Sequence, residues 1–489
     1  MKKITGFLLN GTLLSLSSML LQMVDGAFMV YISAKIGADS VGLLGLVTSV
    51  YRFAVTLSSA GLSLAATKTI AERLALNQQK AAKKAATRSL LLGLLISLSV
   101  AIILLCFAGW IAKHLLLEAL CAPSLRVLAL SLPFIAVSSG ISGYFTAVRS
   151  PYKGVISNVF SFIFRIALTV LLLSSFTLNI RSATLIISVC ITISEIICAV
   201  IMMVFFLLDL RKLKNGISGG GVTKQIISVL TPVALSSYIR SALGTIEQLV
   251  IPPSLMKCGE SQTTALGKYG MIKGMVIPVV LTPSSLLYAF SGLLVPELSR
   301  AKAKNDQKST ERITSVVFSL TLVYSIAIFG VLFFYSNELS LWLFDSVTPA
   351  PYIKTLAPLT IVMFLDGAVD NVLKGLGEQV YCMRINIIDA TLSLVLIAVL
   401  VPLWGINAWI FVILITEIFN TFFSVYKLIE ITSFKINLRK HLLLPLFLCI
   451  ASICLSKLLL RGVFSAVLSL FTYLILCLIF ITPFVNKKA

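Results

Sequence analysis

The feature that most constrains this chain is its succession of apolar runs, each long enough to cross a membrane and separated from the next by a short polar segment. A helix spanning the hydrocarbon layer needs about twenty mostly apolar residues. By that ruler the sequence predicts spans over roughly 6–33, 42–66, 89–112, 123–147, 154–175, 184–208, 226–250, 268–294, 313–335, 352–375, 385–402, 407–426, 442–459 and 463–485. Only 12% of the 489 residues are charged and 58% are hydrophobic, whereas soluble domains carry about a quarter charged residues. A soluble fold of this length lacks the interior to hide so much apolar surface. The expectation is an all-α polytopic membrane protein of about fourteen transmembrane helices. Met1-Lys2-Lys3 followed by an apolar run has the look of a signal peptide, but no small-x-small cleavage site follows. It reads as an uncleaved first helix.

The net charge of +21 raises nucleic acid as a partner, and the placement of the charge argues against it. Lys and Arg gather in short segments between apolar runs, as at Lys80, Lys83, Lys84 and Arg88, rather than in a separate basic domain. Positive residues are retained at the cytoplasmic face. With the N-terminus inside, the predicted internal segments hold 26 of the 40 Lys and Arg and the external ones eight. Both termini are therefore expected to be cytoplasmic, in a multi-pass protein with membrane lipids as its surroundings. Nine cysteines and two histidines offer no metal-ligand spacing, so no metal or other cofactor is expected. Cys121 and Cys258 fall near predicted external loops and could form a disulfide. The plainer reading is that the cysteines are small buried hydrophobes.

The chain also repeats itself. Ile193-Ser194-Glu195-Ile196 returns as Ile415-Thr416-Glu417-Ile418, 222 residues later, and Asp25 matches Glu247 at the same offset. At an offset of 225, Gly42 meets Gly267 and Glu72 meets Glu297; at 228, Arg126 meets Lys354, Leu128 meets Leu356, Ala129 meets Ala357 and Asn158 meets Asn386. Small loop insertions produce such drift. The expected organisation is an N-lobe at 1–208, a cytoplasmic linker at 209–225 with a Gly-rich stretch, a C-lobe at 226–426 and a terminal helix pair at 427–489. Two halves of six helices face the same way, so their expected symmetry axis runs along the membrane normal, as in alternating-access transporters.

Gly37-Ala38-Asp39-Ser40-Val41-Gly42, then Leu57-Ser58-Ser59-Ala60-Gly61-Leu62 and Lys68-x-x-Ala71-Glu72, resemble the first hairpin of polysaccharide-type flippases. Leu125-Arg126-x-Leu128-Ala129, followed by Gly143-Tyr144-Phe145 and Arg149, is similar to the same group. The resemblance is to the stage V sporulation protein B group and, at a greater distance, to bacterial lipid II flippases, all of the multidrug/oligosaccharidyl-lipid/polysaccharide exporter superfamily. It implies a two-lobed bundle, expected to be a monomer, that moves an undecaprenyl-linked sugar precursor to the outer leaflet of a bacterial plasma membrane. Fourteen spans fit the polysaccharide and lipid II branches better than the drug-exporting branch with its usual twelve. Lipid II flippases carry cationic residues on the first, second and eighth helices. Here the second predicted span has Arg52 and the eighth has Lys273, but the first has no Lys or Arg.

Charges inside a membrane cost about 2.5–3.5 kcal/mol on insertion scales and face a cavity or one another. Thr48, Arg52, Thr56, Ser59 and Ser63 fall on one helix face. Thr12, Ser15, Ser18, Gln22 and Asp25 do likewise, as do Ser237, Arg240, Gly244 and Glu247. Such stripes line a wet cleft or mediate helix packing. Guanidinium groups suit a phosphate or diphosphate because they stay charged and bind bidentately. Arg52, Arg240 and Lys273, with Arg165, are the candidates for headgroup contact, alongside Asp25 and Glu247. A competing reading pairs Arg240 with Glu247 and Arg52 with Asp25 structurally. Asp366, Asp370 and Lys374 stand at successive four-residue steps. They form either a site for H+ or Na+ or a structural Asp370–Lys374 pair. Glu195 and Glu417 share an architectural role or, in one of them, a coupling role. Membrane enzymes acting on polyprenyl phosphates need clustered acids, metal ligands or a nucleophile–base pair, and neither these nor a Walker motif is evident. The chain reads as a transporter of a lipid-linked sugar, with an ion-coupled multidrug exporter and, more remotely, a polyprenyl-phosphate enzyme as alternatives.

Overall fold

The computed structural model describes residues 2–175, 180–210, 221–303, 306–432, 439–459 and 462–480, and every regular element among them is helical. The Gly-rich stretch of the expected linker lies outside the described residues, as do the side chains of Thr12, Ser15, Ser18 and Gln22. Two compact units divide the chain, one comprising 1–17 and 39–250, the other 18–38 and 251–489.

The first unit holds both ends of α1 (Lys2–Ser59), a helix interrupted at Gly37, whose φ of 78° and ψ of 166° suit a residue without Cβ. It continues through α2 (Leu62–Ala75), α3 (Gln79–His114), α4 (Cys121–Ala129), α5 (Leu132–Ala147), α6 (Tyr152–Ser175), α7 (Ile180–Leu210) and α8 (Val222–Lys257) up to residue 250. Its core joins Leu62, Ala66, Ile70, Ala82, Ile141 and Phe145. Small residues let the helices close up, as membrane packing requires where no hydrophobic effect drives association. A Cβ on Gly143 would stand 2.4 Å from the carbonyl oxygen of Ser63, and Thr67 Oγ1 donates to the Gly143 carbonyl at 3.0 Å. Polar ties hold the start of α8 to α2 and α3. Arg73 donates to Gln78 and Gln225 at 2.9 Å each, Gln225 donates to Glu72, and Arg88 donates to Thr223.

The second unit takes the middle of α1, residues 18–38, and then α9 (Gln262–Gly270), a π-helical turn at Met271–Val276, α10 (Ile277–Leu281) and α11 (Ser284–Ala303). After these come α12 (Gln307–Phe334), α13 (Ser336–Phe344), α14 (Ala350–Leu356), α15 (Leu359–Gly375), α16 (Gln379–Trp404) and α17 (Ile406–Thr432). A second π-helical turn at Arg439–Leu443 leads into α18 (Leu444–Leu459) and α19 (Val463–Phe480). Helix α1 crosses the π-helical segment closely: a Cβ on Gly26 would overlap Thr282, and Ser33 donates to the Gly274 carbonyl. The terminal pair packs on α12, where Tyr473 donates to the Val323 carbonyl at 3.0 Å and a Cβ on Gly330 would meet Cys449 Sγ at 2.4 Å.

The internal repeat is visible in the backbone. Shifting α5 and α6 by 228 residues lays them on α15 and α16 to within a residue or so at each end. The short α4 before α5 returns as α14 before α15, a pair bent by 50°. Even the left-handed residues recur: Leu117 (φ 55°) with Asp345 (φ 50°), and Arg149 (φ 60°) with Gly377 (φ 80°), each at the same offset.

Eleven described helical segments are long and apolar enough to cross a membrane, or twelve counting the bent pair as one span, against about fourteen expected. Two places account for the difference. The first and second expected spans share one segment, Met23–Leu74, whose 52 residues would reach about 78 Å at about 1.5 Å each; Gly37 breaks it. The last expected span reaches into residues outside the described set, leaving the shorter apolar helix Phe464–Cys477. All nine cysteines are free, with Cys121 buried and Cys258 partly buried.

Candidate functional site

In the second unit, α15 presents Asp366, Asp370 and Lys374 one turn apart, as their spacing requires. The expected Asp370–Lys374 pair forms at 3.4 Å. What the spacing did not reveal is how many neighbours supply polar groups to the same place. Helix α16 adds Asn386 and Asp389, α17 adds Glu417 and Asn420, and α11 adds Tyr288, around a cavity of about 410 Å³. Asn420 Nδ2 donates to Asp366 Oδ2 at 3.3 Å and to Asn386 Oδ1 at 3.2 Å. Asp366 Oδ1 is buried and has no hydrogen-bond partner among the described residues. Tyr288 seals one wall, donating to the Met363 carbonyl at 3.1 Å while its ring lies against Gly367.

Four carboxylates and one ammonium leave this cavity with an excess of negative charge, in helices long and apolar enough to span a membrane. Such an excess calls for a proton or a small cation bound through hard oxygen ligands. Among the described residues no three His, Cys, Asp or Glu groups converge to hold a metal ion. A cation here would therefore draw on the Asn carbonyl oxygens and the Tyr288 hydroxyl as well as on carboxylates. Asp366, Asp370 and Glu417 were expected candidates that the fold brings together. Asp389 and Asn420 were missed, although Asp389 stands three residues after the repeated Asn386 and Asn420 three after Glu417, one helix face in each case.

The cationic candidates divide between the units. Arg52 and Arg240 both lie in the first, on α1 and α8, and both are exposed. These helices run side by side: Ser241 donates to Thr56 at 3.1 Å, Thr245 to the Ser49 carbonyl at 3.3 Å, and Tyr238 to the Leu57 carbonyl at 3.0 Å. Arg52 sits on the same face of α1 as Ser49 and Thr56, and Arg240 adjoins Ser241, so both guanidinium groups border one polar seam. Neither forms a hydrogen bond or ion pair with a described residue. Glu247, two turns along α8, is partly buried and engaged.

Lys273 and Asp25 belong to the second unit. Lys273 is partly buried in the π-helical turn, while Asp25 is exposed, and both take part in interactions. Because Gly26 meets Thr282 and Ser33 meets Gly274, the two lie toward opposite ends of that crossing, separated by roughly 12 Å of helix.

Glu195 and Arg165 form a third group, in the first unit. Glu195 on α7 is partly buried, and the Arg165 guanidinium on α6 lies within electrostatic reach of it. Arg165 also covers the Phe162 ring at 4.9 Å. Buried Tyr51 feels both charges and shares a 2.6 Å hydrogen bond with Ser131.

A family model described as "Polysaccharide biosynthesis protein" matches residues 7–302. Stage V sporulation protein B of Bacillus subtilis (strain 168) is 26% identical over 400 residues, covering 80% of this chain and 77% of that protein. Sporulation protein YkvU of the same strain is 23% identical over 251 residues, covering 50% and 56%. Among solved structures, an inward closed conformation of the lipid II flippase MurJ superposes with a TM-score of 0.72 at 13% identity, covering 97% of this chain and 99% of that one. An inward-facing multidrug resistance transporter of the MATE family, in the MOP superfamily, gives 0.70 at 13% identity, covering 84% and 94%. These likenesses are of fold, and they bear out both the expected all-helical membrane architecture and the resemblance carried by the short motifs. Because the family model spans more than half of the sequence, the chain belongs to the polysaccharide biosynthesis protein family.

Proposed function

We propose that this protein is a flippase that carries a lipid-linked oligosaccharide or cell-wall precursor, its sugar joined to an undecaprenyl phosphate or diphosphate, to the outer leaflet by alternating access. The observation that carries this reading is the pair of exposed guanidinium groups, Arg52 and Arg240, bordering one seam between two membrane-length helices. A charge in that setting needs water or an opposite charge. A phosphate stripped of its hydration shell meets both needs, while the prenyl chain stays in lipid. Lys273 extends the cationic set. Asp25 and Glu247 orient it or exchange partners with it as the lobes move. The moving bodies are the two repeat halves, 1–208 and 226–426, joined through 209–225, with 427–489 appended.

The acidic cavity around Asp366 supplies the coupling: a proton or sodium ion entering it neutralises charge and favours one conformation over the other. Transport then involves no bond cleavage, in keeping with flippase and transporter relatives rather than enzymes. The charge distribution supports both termini on the cytoplasmic side; a bacterial plasma membrane and a monomeric protein complete the proposal.

A second reading, an ion-coupled multidrug exporter, draws on the same acidic cavity and on the MATE-like fold. Exposed guanidinium groups disfavour cationic drugs, since like charges repel most strongly when desolvated. Leaflet-resolved labelling of lipid-linked precursors after depletion decides between them, in cells without a substituting flippase. Outer-leaflet precursor should fall on depletion and stay low when Arg52→Ala/Arg240→Ala is returned. Normal translocation by a well-expressed double variant overturns the assignment, and drug accumulation on depletion favours the exporter.

A further inference from the structure

The two repeats build the same polar junction and give it opposite chemistry. In the second unit, Asn420 of α17 donates to Asn386 of α16 at 3.2 Å. In the first, Cys198 of α7 donates to Asn158 of α6 at 3.3 Å. These are equivalent pairs, 158 with 386 at an offset of 228 and 198 with 420 at 222. Carrying the same offsets round the junction, Asp366 of the second repeat answers to Ser138, Asp370 to Ser142, Asp389 to Ser161 and Glu417 to Glu195. The substitution runs the other way once: Ser393 answers to Arg165. Asn158, Ser161 and Arg165 share one face of α6, as Asn386, Asp389 and Ser393 share one face of α16.

Three of four carboxylates are thus missing from the first junction, and a cation has been added on the chain itself. Ser138 and Ser161 lie beside the Cys198 thiol. Ser138 is 9% exposed, and its Oγ has no hydrogen-bond partner among the described residues. The remaining carboxylate, Glu195, has the Arg165 guanidinium within charge–charge reach. One carboxylate and one guanidinium balance; in the second junction four carboxylates face one lysine.

We propose that Arg165 is a tethered counter-ion that supplies, in the first repeat, the positive charge a mobile proton or small cation brings to the second. This rests on the reading of the Asp366 cavity as the cation site. The consequence is that only the second repeat exchanges a cation during the cycle. The first is locked neutral at every stage, so coupling is carried by one site rather than two.

The test uses the full-length protein in detergent, in an Asp366→Asn/Asp389→Asn background that removes most of the charge of the second cavity. Unfolding midpoints are measured in sodium chloride against choline chloride, and across pH. In that background the midpoint should depend on sodium and pH less than in the parent. Adding Arg165→Ser, which installs the residue of the second repeat, should lower the midpoint in choline and make it rise with sodium or on acidification. Arg165→Lys should not acquire that dependence. Arg165→Ser/Glu195→Gln should recover most of the lost midpoint without any cation, because the charge needing a partner is gone. A cation-independent Arg165→Ser variant whose loss simply adds to that of Glu195→Gln overturns the proposal. Should Arg165→Ser give no folded protein, recovery of folded protein by the double variant supports the proposal, and failure to recover it overturns it. The parent protein separates the two readings. If its midpoint ignores both sodium and pH, the cation site at Asp366 fails, whereas the Arg165–Glu195 cycle is decided by its own variants.

Discussion

Gly367→Ala places one methyl group against the wall of the acidic cavity. The added Cβ would stand 2.2 Å from Tyr288 Cε1, 2.4 Å from Cζ and 2.7 Å from the hydroxyl oxygen, where ordinary contact begins at 3.4 Å. A phenol ring cannot bend away, so the whole ring must withdraw by about 1 Å or the helices must part, and overpacking of this kind costs about 1–3 kcal/mol. Withdrawal also pulls the hydroxyl from the Met363 carbonyl, 3.1 Å away, at a further cost of about 1 kcal/mol. Alanine's better helix propensity returns up to about 1 kcal/mol. The net expectation is a loss of about 1–3 kcal/mol, read by reversible denaturant unfolding in detergent, together with weaker sodium or proton sensitivity. Gly154→Ala is the control: its nearest neighbour would be Met202 Cε at 3.7 Å, so it should be neutral or stabilising. Two results would refute the reasoning. One is a Gly367→Ala protein as stable as the parent. The other is an undiminished penalty in a Tyr288→Ala background, where the obstructing ring is gone.

Gly143→Ala should cost about 1–3 kcal/mol, because its Cβ meets the Ser63 backbone at 2.4 Å and α2 must part from α5. Gly140→Ala, facing only the movable end of Leu90 at 2.9 Å, should cost less in the same unfolding assay. Gly377→Ala should lose about 1–2 kcal/mol from backbone conformation alone, since φ is 80° and the nearest atom to the new Cβ is Lys302 Nζ at 3.8 Å. An equally stable variant would mean that the turn relaxes.

Much of the architecture was legible because bilayer thickness fixes the length of each apolar run. The repeat could be followed through Asn158 with Asn386 and Glu195 with Glu417 because equivalent helices keep their polar contacts. The π-helical turn that holds Lys273 left no such mark: its residues, Met271–Val276, continue the apolar pattern of the helices around it. The short helices α4 and α14 merge with α5 and α15 into single runs for the same reason, since hydropathy does not register a bend. The acidic cavity was only half visible. Asp366 and Asp370 announce themselves by four-residue spacing on one helix, whereas Asp389 and Asn420 acquire meaning only when α16 and α17 pack beside α15. A polar residue on a span can face lipid, protein or water, and only its neighbours decide which.

The separation of charge between the two units has a physical reason. A site for an anionic headgroup must offer uncompensated positive charge, and a site for a coupling cation must offer uncompensated negative charge. Placed close together in a medium of low dielectric, such groups bind each other first, with an attraction of several kcal/mol at about 4 Å even at an effective dielectric of 20. Both sites would then be silent. The chain keeps the two sets in different compact units. Arg52 and Arg240 lie in the first unit, while Asp366, Asp370, Asp389 and Glu417 line a cavity in the second. Glu195, the carboxylate that the first junction retains, has Arg165 beside it. On the proposed function, the unit with the exposed guanidinium groups takes the headgroup and the unit with the acidic cavity takes the coupling cation.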